Sequence, residues 1–326
     1  MVKYRRLVRT ERYQIQALLR SGLSLRDVGK NLGRSPSTIS RELQRNTIES
    51  KYFASKATVL SEQRKCREYL DRKLIQGELE RIVREKIKQD WSPEQIVGRL
   101  KRNGSKYSLS FSSIYRYIYA RALRGDDLYL HLRRRHRRRV EQKKAKKYVY
   151  YRPIENRIGI KERPAVVLKR NRIGDFERDT LLGKFNGASI LSIVDRTSRL
   201  TKLSKLEKKI AIEAHRKTVF LLKGLGVKTI TNDNGNEFKF HTMTTEELKV
   251  PVYFSNPYSP WERGTNENTN GLLRQYFPRY KDIGRFTEDE IKAVEEKLNN
   301  RPRKCLAFKT PLEVHKLKRS DVALAG

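Results

Sequence analysis

Apolar positions recur every three or four residues through the first 45 positions. Ile15, Leu18 and Leu19 predict a helix over residues 10–21, stopped by Gly22. Ser24, with Asp27 three residues on, marks the start of a second helix with a stripe of Leu25, Val28 and Leu32. Ser35 followed by Pro36 opens a third, with Ile39 and Leu43 inward. Ser37, Thr38, Ser40, Arg41, Gln44 and Arg45 are left outside. Short helix, tight turn and a helix rich in Ser, Thr, Arg and Gln form a helix-turn-helix pattern. Its third helix is expected in the DNA major groove, where such side chains read base edges. A plain three-helix unit with a polar face is the alternative.

The pattern returns further on. Trp91 precedes Ser92-Pro93-Glu94-Gln95, a capping box with proline at the first helical position. Ile96, Val97 and Leu100 form its inner stripe. Ser110 caps a helix to about residue 122, packed through Phe111, Ile114 and Ile118, with several tyrosines and Arg116 left partly available. Two readers suit a long or two-part DNA site; packing or a dimer contact is the alternative for the second. Residues 52–90 read as a charged helical connector.

The second half changes period. Residues 188–195 predict a mostly buried strand and 199–203 a partner, with helical spacing over 207–224. Short strands are expected at 227–231 and 252–254, a helix from Ser259-Pro260 to about 276, and a capped helix over 287–298. This order implies a mixed sheet with helices on its faces.

Charge narrows the function. Lys and Arg number 74 against 37 Asp and Glu, a net charge of +37, which calls for a polyanionic partner. The densest basic run holds Arg133, Arg134, Arg135, Arg137, Arg138, Arg139, Lys143 and Lys144. Such a block stays extended without a partner and suits a salt-sensitive, sequence-independent phosphate-tracking linker. A hydrophobic content of 37% argues against wholesale disorder. Cys66 and Cys305 have neither disulfide-framework nor zinc spacing, which fits a reducing, intracellular setting. No apolar run reaches membrane-spanning length, and the N-terminus lacks a secretory pattern.

In so basic a chain, three acids stand out: Asp179, Asp233 and Glu267. Carboxylates are the hard oxygen ligands Mg²⁺ prefers. Asp179 lies on or at the end of a first strand, Asp233 directly after a central strand, and Glu267 on a helix able to cross that edge. Glu177 shares a strand face with Asp179, and Asp195, Glu237 and Glu262 are further neighbours. Glu262 stands about 140° around a helix from Glu267, so both cannot face one metal pair.

Ser-Pro-Ser-Thr-Ile-Ser-Arg-Glu (35–42), Trp-Ser-Pro-Glu-Gln-Ile (91–96), Asp-Asn-Gly-Asn-Glu-Phe (233–238), the stretch 256–278 around Trp-Glu-Arg-Gly-Thr-Asn-Glu-Asn, and Asn-Arg-Pro-Arg-Lys-Cys-Leu (300–306) resemble the bacterial insertion sequence 30 transposases. The resemblance covers nearly the whole chain. It implies helix-turn-helix N-terminal units followed by an α/β ribonuclease H-like catalytic domain. Three acids, mapping onto Asp179, Asp233 and Glu267, would bind two Mg²⁺, with Mn²⁺ an expected substitute. The activity implied is DNA cleavage that frees 3′-hydroxyls, then their joining to target DNA. A DNA-binding repressor and a structure-specific nuclease without joining are the alternatives. The expected partners are double-stranded DNA, as terminal inverted repeats and as target, and a second copy of the chain, in the bacterial cytoplasm at the nucleoid. Asn270 and Arg274, beside Glu267, are candidate DNA contacts. The chain departs from the family's pattern at Phe176, where Trp is common, at Arg178, where a small residue is usual, and at Ala307, where Gly is common. The expected segments are a helix-turn-helix domain (1–50), connector (51–90), second helix-turn-helix-like domain (91–125), basic linker (126–165), catalytic domain (166–300) and tail (301–326).

Overall fold

A computed structural model describes residues 6–48, 51–71, 75–133, 154–185, 187–208, 210–257 and 259–324. The chain forms two compact units, Met1–Leu74 and Ile75–Gly326.

In the first unit, α1 (Arg9–Arg20), α2 (Leu25–Asn31) and α3 (Pro36–Asn46) bury Ile15, Val28 and Ile39 completely. Leu18, Leu19, Leu25, Leu32 and Leu43 pack around them, as the spacing predicts. Ser24 caps α2 through the Asp27 amide. Ser35 stands at the α3 N-cap without a side-chain cap bond; its Oγ meets Ser37 Oγ at 2.7 Å instead. A Cβ on Gly29 would come within 2.8 Å of the Arg34 carbonyl, so the turn into α3 needs glycine. Buried Glu42 takes Arg12 Nε at 2.7 Å and Tyr52 Oη at 3.2 Å, tying α3 to α1. A short hairpin, β1 (Thr47–Ile48) with β2 (Lys51–Tyr52), leads into α4 (Ala54–Asp71).

The second unit opens with α5 (Gly77–Lys88), α6 (Pro93–Arg102) and α7 (Phe111–Ala122). Both predicted caps form: Ser92 pairs reciprocally with Gln95, and Ser110 accepts from Ser113 N. A sheet follows in the order β3-β8-β7-β4-β5-β6. Here β4 (Asp175–Leu182), β5 (Ser189–Asp195) and β6 (Thr201–Leu206) form an antiparallel meander. On its other side β7 (Thr229–Asn232), β8 (Val252–Phe254) and the short β3 (Ile158–Gly159) run parallel to β4. The helices are α8 (Val166–Lys169), α9 (Ala211–Leu222), α10 (His241–Leu248), α11 (Gly264–Leu273), α12 (Glu288–Asn299) and α13 (Pro311–Leu324).

Strand alternation sorts the core into two layers. Leu191 and Ile193 of β5 join Phe176, Ile230, Ala214 and Leu222 beneath α9, whereas Ile190 joins Leu203, Leu273, Ile291 and Leu298 beneath α11 and α12. An antiparallel meander extended by parallel strands, with helices on both faces, gives the α/β, ribonuclease H-like architecture.

Helix α6 packs on the end of the same unit. A Cβ on Gly98 would fall 2.3 Å from the Phe308 ring. Arg99 grips Glu313 through two contacts of 2.6 and 2.8 Å, and Arg301 Nε donates to Gln95 at 2.8 Å. Two departures from the family's pattern also find their places. Arg178 is fully buried, donating to Asn232 and Thr218 and lying over the Phe238 ring. Ala307 holds φ +49°, the left-handed region that favours glycine.

A paired-carboxylate candidate active site

Asp179 is the fifth residue of β4, and Asp233 follows the last residue of β7. Because these strands are parallel neighbours, the two acids come to one sheet edge, at the carboxyl end of β7 where α/β sites collect. Asp179 Oδ1 accepts from Thr180 N at 2.8 Å and Oδ2 from Asn270 Nδ2 at 2.9 Å. Asp233 Oδ1 accepts from Gly235 N at 3.0 Å.

Both Oδ2 atoms also face one guanidinium. Arg263 Nη1 is 3.3 Å from Asp179, and Nη2 is 3.7 Å from Asp233. Arg263 Nε and Nη1 are buried without a hydrogen bond. The guanidinium is thus held by charge rather than by directed bonds. Burial, then the Asp233 charge, pushes the Asp179 carboxyl up to about 7, against the pull of Arg263. Two hard-oxygen donors sharing one cation, with negative charge left under-compensated, fit a divalent metal.

Glu267 stands apart from this pair. It lies exposed on α11, three residues before Asn270. Residues three apart are neighbours on a helix surface, so it is one step from the amide that holds Asp179. Among the described residues, no three His, Cys, Asp or Glu side chains converge as a metal group. The structure therefore joins Asp179 to Asp233 and leaves Glu267 at the rim.

The neighbouring acids have other tasks. Glu177 is fully buried and accepts from Asn266 N at 2.9 Å, in the first turn of α11, with Arg196 Nε 3.4 Å away. A carboxylate at a helix N-terminus is favoured by the exposed amides there, so Glu177 sets the position of the helix carrying Glu267. Asp195 accepts from Gly174 N, Ser198 N and Thr197 N, closing the turn between β5 and β6. Glu262 braces Asn256 at 2.7 and 2.8 Å. Glu237 accepts from Thr180 Oγ1 at 2.5 Å.

The DNA-contact candidates divide. Ser37, Ser40, Arg41, Gln44 and Arg45 are exposed on α3 and Thr38 is half-buried, while Ile39 faces the core. Arg116 is half-buried near Ser113. Asn270 is engaged at both ends of its amide, by Asp179 and by Ser192 Oγ at 3.2 Å. Arg274 donates to the carbonyls of Leu182 and Phe277. Arg133 is exposed, and its guanidinium lies 2.6 Å from where a Cβ on Gly271 of α11 would be. Arg134, Arg135, Arg137, Arg138, Arg139, Lys143 and Lys144 lie outside the described residues. Sequence reasoning missed Arg263, although its spacing of four and seven residues from Glu267 and Asn270 is the spacing of one helix face.

Comparison with known proteins extends the picture. Residues 3–46 match the family described as a helix-turn-helix domain. The chain is 38% identical to the transposase for insertion sequence element IS4351 of Bacteroides fragilis, over 97% of this chain and 98% of that one. It is also 38% identical to transposase InsI for insertion sequence element IS30A of Escherichia coli (strain K12), over 94% of this chain and 82% of that one. Among solved structures, the catalytic core domain of BIV integrase matches with a TM-score of 0.38 at 18% identity, covering 46% of this chain and 98% of that one. No described helix is long and apolar enough to cross a membrane.

Proposed function

The chain belongs to the insertion sequence 30 family of transposases, and on that premise we propose that it cuts and joins DNA with Asp179, Asp233 and Glu267 as the metal-holding acids. The observation that carries this is the convergence of Asp179 and Asp233 on the single cation of Arg263. Two Mg²⁺ ions, or Mn²⁺ in their place, would supply activation of a water or a DNA 3′-hydroxyl and stabilisation of the leaving oxygen. Asp179, Asp233 and Glu267 would hold them.

The chain's own residues prepare that arrangement. Asn270 fixes one Asp179 oxygen and Thr180 N the other. Glu177 holds the start of α11, the helix that carries Glu267, in place. Arg263 supplies positive charge to the two aspartates and would give way where the metals are held. The exposed face of α3 reads the terminal inverted repeats in the major groove, and the run from Arg133 follows phosphates. Two copies of the chain hold the two DNA ends.

The test is purified protein, Mg²⁺ and a labelled duplex carrying the inverted repeat that flanks its reading frame. Joined product is expected, and Asp233→Asn should abolish both nicking and joining. Nicking without joining would point to a nuclease, and binding without either to a repressor. Wild-type rates for Asp233→Asn would refute the assignment.

A further inference from the structure

Between the helices before the sheet and α11 lies a cleft of about 970 Å³ that the acids do not use. Its lining is mainly cationic: Arg133, Arg301, Arg303 and Lys304 outnumber Asp90 and Glu94, of which Glu94 is paired with Lys304 and Asp90 with His131 and Lys297. Arg301 and Arg303 are 3% and 8% exposed. Arg301 reaches Gln95 and Gln275, and Arg303 Nη2 reaches the Leu298 carbonyl. Neither forms an ion pair among the described residues, and Arg303 Nε is buried without a hydrogen bond. Burial, then the neighbouring Arg301, pulls the Arg303 guanidinium down to about 10. An anion entering here would relieve both effects.

One wall is aromatic. Tyr115 and Tyr119, one turn apart on α7, stack with centroids 6.2 Å apart and line the cleft. Asn268, the residue after Glu267, and Arg133, where the basic run begins, also line the cleft.

We propose that this cleft binds an unpaired strand of DNA, its phosphate on Arg301 and Arg303 and a base against the Tyr115–Tyr119 wall. The volume, that of a cube about 10 Å on a side, is on the scale of a few nucleotides. Cationic floors with aromatic walls are the general chemistry of single-strand binding. This assignment rests on the proposed DNA-joining function for its purpose, but its test does not.

Cys305 is exposed and lines the same cleft, which gives a local probe. In full-length Cys66→Ser protein without metal, alkylation of Cys305 by a maleimide is followed with a blunt duplex and with the same duplex bearing an oligothymidylate tail. The tailed duplex should slow alkylation several-fold more than the blunt one. Tyr115→Ala/Tyr119→Ala, checked for folding by circular dichroism, should weaken binding of free oligothymidylate roughly 5- to 30-fold, from a stacking contribution of about 1–2 kcal/mol, and leave blunt-duplex binding within about twofold. Equal protection by both duplexes, or unchanged oligothymidylate binding by the folded variant, overturns the assignment. Asp233→Asn should keep the protection. Loss of joining in Asp233→Asn alongside equal protection therefore refutes the cleft alone, whereas tail-specific protection with joining unaffected by Asp233→Asn refutes only the metal assignment.

Discussion

Asp179 should act as a proton gate on metal binding. Its carboxyl ordinarily titrates at 3.8 and stands at about 7 in the folded, metal-free protein. The folded chain therefore holds a proton between these values that the unfolded chain has lost. Stability rises with pH only where the unfolded state binds more protons; here the folded state does, so raising the pH through this window destabilises the protein, and the effect levels off above pH 7. Between pH 5 and pH 8 the two values correspond to about 2.6 kcal/mol, and solvent access to a side chain that is 18% exposed brings the expected loss nearer 2 kcal/mol. Metal must displace the same proton. At pH 6 roughly one molecule in eleven carries ionised Asp179, and at pH 8 about ten in eleven, so Mg²⁺ should bind about tenfold more weakly at pH 6. Isothermal titration at both values, in two buffers of different ionisation enthalpy, reads the affinity and the proton released. Asp179→Asn should remove the thermal-stability slope. Equal Mg²⁺ affinity at the two pH values, or a slope unchanged in Asp179→Asn, refutes the reasoning.

Three further outcomes are expected. Arg263→Gln removes the resident cation, so the metal-free protein should lose about 1–2 kcal/mol in urea unfolding, while Mg²⁺ binding by calorimetry tightens several-fold; weaker Mg²⁺ binding would mean that Arg263 supports the metal rather than standing in for it. Gly98→Ala places a methyl against the Phe308 ring, and a cost of about 1–3 kcal/mol should appear as a lower melting temperature. Ala307→Gly relieves a left-handed backbone and should stabilise by about 1 kcal/mol in the same assay.

Local patterns carried much of the architecture. Ile15, Val28 and Ile39 were legible as one core because each helix announces its buried stripe through spacing and its start through a cap. Asp233 was legible because a short apolar strand ends immediately before it. Other features depend on contacts between distant residues that no local period records. Gly98 looks like a weak point in a helix until Phe308, 210 positions later, is laid across it. The expected tail likewise contains α13, anchored through Glu313 to Arg99. Arg263 was hidden among 74 basic residues, because only the fold says which one enters the acidic pair. Glu177 shared a strand face with Asp179 in the pattern, and its bond to Asn266 N gives it a role in placing α11.

The central claim is that Asp179, Asp233 and Glu267 form one metal site once Arg263 withdraws. The most direct measurement is an anomalous-scattering map from crystals grown with Mn²⁺. Two peaks flanking Asp179, one touching Asp233 and one touching Glu267, with the Arg263 guanidinium moved away, is the predicted result. Mn²⁺ bound elsewhere, or an Arg263 still lodged between the two aspartates at saturating metal, would contradict it.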